Sequence, residues 1–302
     1  MRVKERKALQ GSGMTYGVSF KRNPLFFLIT RVIILVVVVA TLFPILYIFS
    51  LSLRTKETLY QATFHIIPKA ATYTNYIDAL EYAKTRLNVT FLQMFRNSIV
   101  CTVSAICLAI AFAVLGSFAF SSFRFKGKEL TFTAIVVSYV VPPQVLLIPL
   151  FFIMKRLGLL NSYLAVIFPY VGFSIPIATL ILRSFFEQIP GEIKEAAKID
   201  GARDFQVLIR IVLPLSAPAL ASCIILLFLE TWNEFIYALV FLQNPVIQTI
   251  PVAIARIAGG KFILPLGTYG ASIMITVVPV LIVFMIFQKW FIAGMTMGAI
   301  KG

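Results

Sequence analysis

The chain has 302 residues, of which 60% are hydrophobic and only 13% are charged. Soluble domains carry about 25% charged residues, so the composition excludes an ordinary soluble protein, and its hydrophobicity excludes a disordered one. A transmembrane helix needs about 20 apolar residues, which leaves room for about six or seven spans plus loops. We therefore expect an all-α integral membrane protein.

The charge of the chain is strongly positive, because 27 Lys and Arg residues against 12 Asp and Glu residues give a net charge of +15. The positive residues flank apolar runs and form no block, which argues against nucleic acid as a partner. It favours a lipid bilayer, on whose cytoplasmic side Lys and Arg collect. Most of them fall in cytoplasmic segments if both termini are cytoplasmic. This predicts a multi-pass membrane protein with both termini cytoplasmic.

Residues that carry metal or redox chemistry are few. His65 is the single histidine, expected in a solvated loop, which excludes bis-histidine haem and HExxH zinc sites. Cys101, Cys107 and Cys223 lie in apolar stretches without a CxxC spacing and are expected to be buried. The sequence has no GxxxxGK[ST] motif and so no P-loop for ATP. We expect no catalytic residue, metal or cofactor in this chain.

The apolar runs predict six transmembrane helices. The expected organisation is a basic N-terminal extension at 1–24, a first transmembrane helix at 25–54, an external loop at 55–97, a core at 98–292 and a cytoplasmic tail at 293–302. Within the core, spans two to six are expected at 98–120, 130–154, 163–182, 218–241 and 267–287, with a charged cytoplasmic loop at 183–217.

A stripe of small residues marks the second span. The stripe consists of Ala105, Ala109, Ala113, Ser117 and Ser121, which recur every four residues. Such a stripe lets another helix backbone approach closely within lipid. We therefore expect the second span to pack against a neighbouring helix of the core.

Two groups of residues inside the spans are candidates for a solute path. Pro142-Pro143 interrupts the third span and indicates a bend, which either lines a path or is a packing kink. Glu230 and Glu234 in the fifth span are four residues apart and share a helix face, with Trp232 and Asn233 between them. Ionisable residues inside a membrane indicate a functional site. In the fifth span, these residues either line the solute path or bond to a partner helix.

The loop at 183–217 predicts two short helices. Pro190-Gly191 starts a helix of about nine residues at 192–200 with Glu192 in its first turn, where the helix dipole favours an acid. Gly201 is placed to end it in a left-handed conformation. Its predicted flat face consists of Ile193, Ala196, Ala197 and Asp200, with the Glu195 carboxylate beside it. The second helix is expected to present Phe205, Leu208, Ile209 and Val212 on one face and to end before Pro214.

The same loop carries a resemblance to a known family. Glu195-Ala196-Ala197, then Gly201 after three residues, and Ile211-x-Leu213-Pro214 after nine more resemble the EAA loop of ATP-binding-cassette importer permeases. The stretches Pro142-Pro143-Gln144 and Trp232-Asn233-Glu234-Phe235 and the C-terminal Gly-Ala-Ile-Lys-Gly are similar to maltose-type (MalG-like) sugar permeases. The resemblance covers about 95–302, whereas the extension at 1–24 is longer than expected.

The resemblance implies the architecture of a type I importer permease, a place in a bacterial or archaeal cell (inner) membrane, and a set of partners. These are a second, different permease, two cytoplasmic ATPase subunits that hold ATP and Mg, an external solute-binding protein, and a sugar or oligosaccharide as the solute. It implies that the 192–200 helix docks on the ATPase with Glu195 facing a basic group, and that the loop at 253–265 with Gly259-Gly260-Lys261 reaches the binding protein. ATPase coupling would then involve Glu192, Glu195, Ala196, Ala197, Asp200, Gly201, Ile211, Leu213 and Pro214.

Other functions remain open at the level of sequence. The 192–200 helix could lie on lipid headgroups, but its alanines and acids are not the basic and bulky pattern that such helices show. The chain could be a proton-coupled carrier that uses Glu230 and Glu234, which would need no ATPase. A structural subunit of a respiratory complex is disfavoured because cofactor ligands are lacking.

Overall fold

The computed structural model describes residues 24–59, 67–68, 70–258 and 265–299. The extension before Pro24, His65, Gly259-Gly260-Lys261 and the end of the tail lie outside these residues. The chain divides into two compact units, Met1–Tyr47 and Ile48–Gly302. The described residues contain no β-strand, and a single antiparallel bridge joins Arg54 to Ala71.

The α-helices follow one another through the described chain with short connections. They are α1 Pro24–Ser52, α2 Lys56–Leu59, α3 Thr74–Leu87, α4 Phe91–Ser122, α5 Lys128–Ser138, α6 Leu147–Arg156, α7 Leu164–Phe186, α8 Gly191–Ile199, α9 Asp204–Val207, α10 Leu213–Leu215, α11 Ala217–Trp232, α12 Ile236–Phe241, α13 Ile250–Ala258 and α14 Leu266–Ala299. A 3₁₀ turn at Pro143–Leu146 precedes α6, and a π-helical stretch at Leu208–Val212 joins α9 to α10.

The part of α1 that belongs to the first unit, 24–47, is apolar on all sides apart from Arg31. From Leu25 to Tyr47 it has no buried side chain, and its Leu, Ile, Val and Phe residues are largely exposed. A helix that is hydrophobic all round has lipid or another helix as its surroundings. This matches the first transmembrane helix predicted at 25–54.

The helices of the described chain support the predicted six spans. Four of them, α1, α4, α7 and α14, are long and apolar enough to cross a membrane. Two further candidates are bent pairs: α5 meets the segment Pro143–Arg156 at 88°, and Asp204–Leu215 meets α11 at 78°. If each bent pair is one span, the total is six. The bend predicted at Pro142-Pro143 is therefore present.

The core of the second unit is built on close contact between α4 and α7. Ala105, Ala109, Ala113 and Ser117 of the small-residue stripe are fully buried. The Ser117 hydroxyl donates to the Thr179 carbonyl of α7 at 3.1 Å. The small-residue stripe therefore packs against a neighbouring helix of the core, as predicted, and that helix is α7.

The cysteines differ from one another in burial. Cys101 and Cys223 are buried, as expected, but Cys107 is exposed. Cys107 lies on the opposite side of α4 from the stripe, because residues two apart on a helix point in different directions.

The fifth span is not the continuous helix that was predicted at 218–241. It ends at Trp232, and the chain turns through 233–235 before α12 begins. Polar side chains compete for backbone groups and break helices in this way: Asn233 donates to the Leu229 carbonyl at 2.8 Å, and Glu234 accepts from the backbone of α12. The last helix, α14, also runs beyond its predicted end at 287.

Candidate functional site: a cavity at two helix breaks and an exposed loop

A cavity of about 760 Å³ lies where the two broken spans meet α7. Its wall is mainly apolar, and its polar groups include Ser138, Tyr139, Gln144, Ser174, Glu230 and Glu234. These polar groups lie at or near the helix breaks. Within a membrane, unpaired backbone groups and polar side chains are tolerated where they line a cavity. Pro143 and Gln144 of the sequence-predicted path belong to this wall, whereas Pro142 directly precedes it.

The two carboxylates of the cavity have different surroundings. Glu234 accepts hydrogen bonds from the Tyr170 hydroxyl at 2.5 Å and from the backbone N–H groups of Tyr237 at 2.8 Å and Ala238 at 3.1 Å. It therefore caps α12, at the helix end where the dipole favours an anion. Glu230 accepts a single hydrogen bond within the described chain, from the Tyr139 hydroxyl at 3.2 Å. Glu230 is thus the carboxylate with free acceptor capacity.

Trp232 and Asn233 do not line this cavity. The Trp232 ring is 3% exposed and stacks on Phe228 with a centroid separation of 5.3 Å. Both residues contribute instead to a second, smaller cavity of about 340 Å³, whose other walls come from α13 and α14. The structure therefore divides the four candidate path residues of the fifth span between two cavities, with Glu230 and Glu234 at the larger and Trp232 and Asn233 at the smaller.

The EAA loop, residues 183–217, has the predicted first helix and turn. The first helix is α8, and Gly201 follows it with a φ of +87°. The Ala202 N–H donates to the Ala197 carbonyl at 2.9 Å, as in a helix that ends in a left-handed glycine. Lys198 on α8 pairs with Asp204 on α9 at 2.6 Å, which closes the turn.

A lysine joins α8 to the end of α7. Lys194 donates through Nζ to the Phe186 carbonyl at 3.0 Å. Burial lowers the pKa of Lys194 and outweighs the opposing effect of the nearby Glu187 carboxylate. The hydrogen bond fixes the direction in which α8 leaves the fourth span.

The faces of the EAA loop differ in part from the prediction. Ala196 and Glu195 are exposed, but Ala197 packs against the core, so the two alanines do not form one flat outer face. Ile199 is 86% exposed and supplies the apolar outer surface of α8.

The second helix is also divided. Leu208 and Val212 are buried, whereas Phe205 and Ile209 are exposed, because the π-helical stretch shifts the register of its faces. The helix continues through Pro214 to Leu215 and then bends. Ile211 and Leu213 are half-buried beside this bend.

An ion cluster that the sequence analysis missed lies at the end of α7. Arg183 donates through Nη2 to both carboxylate oxygens of Glu129, at 2.7 and 3.0 Å, and through Nε to Glu187 at 2.7 Å. Its guanidinium lies 3.9 Å from the centroid of the Phe132 ring. The spacing of Arg183 and Glu187 could have indicated the intrahelical pair, but no sequence signal links either residue to Glu129.

Together, these features are those of a transport permease: apolar spans, a cavity at helix breaks and an exposed loop between two spans. The chain belongs to the family of binding-protein-dependent transport system inner membrane components, which matches residues 113–297. This membership decides against a proton-coupled carrier and against a respiratory subunit.

Known relatives and structures agree with the family. The chain is 35% identical to the sulfoquinovosyl glycerol transport system permease protein SmoH of Agrobacterium fabrum, over 94% of this chain and 95% of the relative. It is 34% identical to the trehalose/maltose transport system permease protein MalG of Thermococcus litoralis, over 86% and 92% of the two chains. A crystal structure of a bacterial ABC transporter that imports alginate contains a chain similar to it, with a TM-score of 0.77, 26% identity and coverage of 90% and 98%. The fold is that of a type I importer permease.

Proposed function

We propose that this chain is one of two permease subunits of an importer for a neutral or acidic sugar or oligosaccharide. The second permease is a different chain, two cytoplasmic ATPase subunits hold ATP and Mg, and an external binding protein delivers the solute. The relatives support a sugar, since two of them are named for trehalose or maltose and for sulfoquinovosyl glycerol. The excess of Lys and Arg supports cytoplasmic termini.

The observation that carries the proposal is the exposure of α8. A helix of nine residues is marginal in water unless it is packed against something. Within the described chain, this helix contacts its own protein through Lys194, Ala197 and the pair of Lys198 with Asp204. It leaves Glu195 and Ile199 exposed. An apolar group beside a carboxylate fits a partner protein with a basic group next to an apolar cleft. We place the ATPase there.

The role of α8 in the transport cycle follows from this docking. ATP closes the ATPase dimer, and the docked helix carries that movement into the spans, which open outward to accept the solute. Hydrolysis then resets the subunits. The residues assigned to coupling keep their roles in this proposal. Ala197, Ile211 and Leu213 lie on the inner side, Gly201 turns the chain, and the exposed Pro214 precedes the bend into α11. The exposed residues Glu192, Glu195, Ala196 and Asp200 face the partner.

We place the solute path at the larger cavity. Its volume of about 760 Å³ suits a small saccharide, and Glu230 and Gln144 offer hydrogen-bonding groups to hydroxyls. Glu234 lies in the same wall but is engaged as the cap of α12, so its role is to hold the wall. Trp232 and Asn233 are assigned to packing near α13 and α14.

Reconstitution of the complete transporter tests the proposal. Proteoliposomes that contain both permeases, the ATPase and ATP inside, with the binding protein outside, should accumulate radiolabelled trehalose or maltose. Glu195→Lys should reduce uptake to background, because two like charges brought together in an interface destabilise it by several kcal/mol. Glu81→Lys, the same change at an exposed position of α3, is the control and should leave uptake unchanged. Wild-type uptake by Glu195→Lys would refute the docking role.

A further inference from the structure

We propose that the contact between Glu129 and Arg183 transmits the movement of α8 to the wall of the cavity. The inference rests on the proposed function, since it needs an ATPase that moves α8. Glu129 and Arg183 are positioning residues in this account, because neither lines the cavity.

The first part of the linkage joins α8 to α7. Lys194 binds the Phe186 carbonyl at the last residue of α7, and Ala197 packs against the core. A displacement of α8 therefore pulls on the end of α7. Arg183 lies one turn before that end, on the same rigid helix.

The second part joins α7 to α5. Arg183 is buried and holds both oxygens of Glu129, which lies in the first turn of α5. The Phe132 ring of α5 covers the guanidinium at 3.9 Å. Arginine is suited to such a contact, because its planar group donates to a carboxylate and stacks on an aromatic ring at once.

The contact is important because α5 is otherwise weakly held. The helix has no buried residue, unlike α4 and α7, although its Phe132 ring contacts the Phe120 ring of α4 at a centroid distance of 5.6 Å. A helix with little packing moves with the few groups that hold it, and the salt bridge of Glu129 with Arg183 is the ion pair that joins α5 to another helix of the described chain.

The third part joins α5 to the cavity. Ser138 ends α5 and Tyr139 follows it, and both residues line the cavity. The Tyr139 hydroxyl donates to Glu230 across the cavity wall. A shift of α5 along its axis therefore moves Tyr139 and changes its hydrogen bond with Glu230.

The cluster contains its own control. Glu129 and Glu187 both accept from Arg183 at 2.7 Å. In the described chain, the Glu187 side chain, directly after α7, bonds to Arg183 of that helix and acts on Lys194 of α8 through its charge. Glu129, in contrast, bonds α7 to α5. A purely structural cluster would depend on both acids alike, since each offsets the charge of the buried arginine.

The experiment compares Glu129→Gln, Glu187→Gln, Arg183→Gln and Arg183→Lys in the reconstituted complete transporter. Two rates are measured on each sample: ATP hydrolysis stimulated by the binding protein, and uptake of radiolabelled trehalose. Glu129→Gln and Arg183→Gln should lower the sugar imported per ATP hydrolysed by about tenfold, the range of effects seen along coupling networks. Glu187→Gln should keep it within about twofold, and Arg183→Lys, which retains the charge, should recover part of the loss.

The possible results separate the two proposals. Equal losses in Glu129→Gln and Glu187→Gln, or a wild-type ratio in Glu129→Gln, would overturn the linkage while leaving the importer intact. Absence of ATP-dependent uptake by the wild-type transporter would overturn the proposed function and the linkage with it. The Glu129 side chain is 68% exposed, so its substitution leaves the fold intact where that of Arg183 could disturb it.

Discussion

The Tyr170 hydroxyl donates a hydrogen bond of 2.5 Å to the Glu234 carboxylate and so joins the middle of α7 to the start of α12. The same carboxylate accepts from two backbone N–H groups of α12. A single side chain therefore fixes the break after α11 and the cavity wall beside it. Glu230, four residues earlier, makes one hydrogen bond and faces the open space.

We expect Glu234→Gln to destabilise the protein. The glutamine amide group offers one acceptor where the carboxylate offers two, so at least one N–H or O–H donor loses its partner at a cost of about 1–3 kcal/mol. Thermal melting of the purified transporter in detergent measures the effect. Glu230→Gln serves as the matched control and should melt like the wild type. The account of the cap would be wrong if Glu230→Gln were the less stable variant.

Glu230→Gln should instead change solute handling. A neutral amide forms weaker hydrogen bonds to sugar hydroxyls than a carboxylate does, and we expect the KM for uptake to rise about fivefold, which corresponds to one such hydrogen bond. Initial rates of sugar uptake at several concentrations give the KM. Tyr139→Phe should produce a smaller change in the same direction, since the Glu230 carboxylate then loses the hydrogen bond that holds it in position. An unchanged KM in both variants would remove Glu230 from the path.

Much of this arrangement could be predicted from the sequence, and the reasons are local. Proline lacks an N–H group, so Pro142-Pro143 predicts a bend wherever the chain folds. Glycine is the residue that accepts a left-handed conformation without strain, so Gly201 predicts the end of α8. The stripe on α4 follows from helical spacing alone. Each of these inferences can be made without knowing which helices pack against one another in the folded protein.

The features that were not predicted depend on distant partners. Nothing near Glu129 indicates that a residue in another span will hold it, and the contact with Arg183 exists only after α5 and α7 pack. The break after Trp232 arises because Glu234 finds donors in α12 and Tyr170, whereas a helical pattern alone continues through this region. Ala197 likewise points inward because it packs against the core, which is built from residues distant in the sequence.

Gly201→Ala tests the backbone of the EAA loop. No atom lies within 4 Å of the position that an added Cβ would take, so the change acts through the φ of +87° alone. A left-handed residue that is not glycine costs about 1–2 kcal/mol, and we expect lower uptake per ATP with little loss of assembly. Gly191→Ala, which needs no left-handed backbone, should have the same melting temperature as the wild type. Wild-type uptake by Gly201→Ala would show that the turn tolerates rearrangement.

Gly267→Ala tests the contact between α14 and α3. An added Cβ would lie 2.7 Å from the Asn75 Nδ2 atom, which donates to the carbonyls of Ser52 at 2.9 Å and Arg54 at 2.7 Å. Because Asn75 is buried, it cannot move without losing these hydrogen bonds, and we expect a loss of about 1–3 kcal/mol of stability. Gly116→Ala on α4 has no contact closer than 4.0 Å and is the control for thermal melting. Equal melting temperatures for the two variants would contradict the close approach.

The central claim is that α8 docks on an ATPase subunit. Its most direct test is a photo-reactive amino acid placed at Ala196 on the exposed side of α8, irradiated in native membranes and followed by mass spectrometry of the adducts. The account predicts an adduct with a P-loop ATPase at Ala196. The same probe at Thr85 of α3, which should lie on the other side of the membrane, should give no ATPase adduct. Adducts with lipid alone at Ala196 would contradict the account and place α8 on the membrane surface.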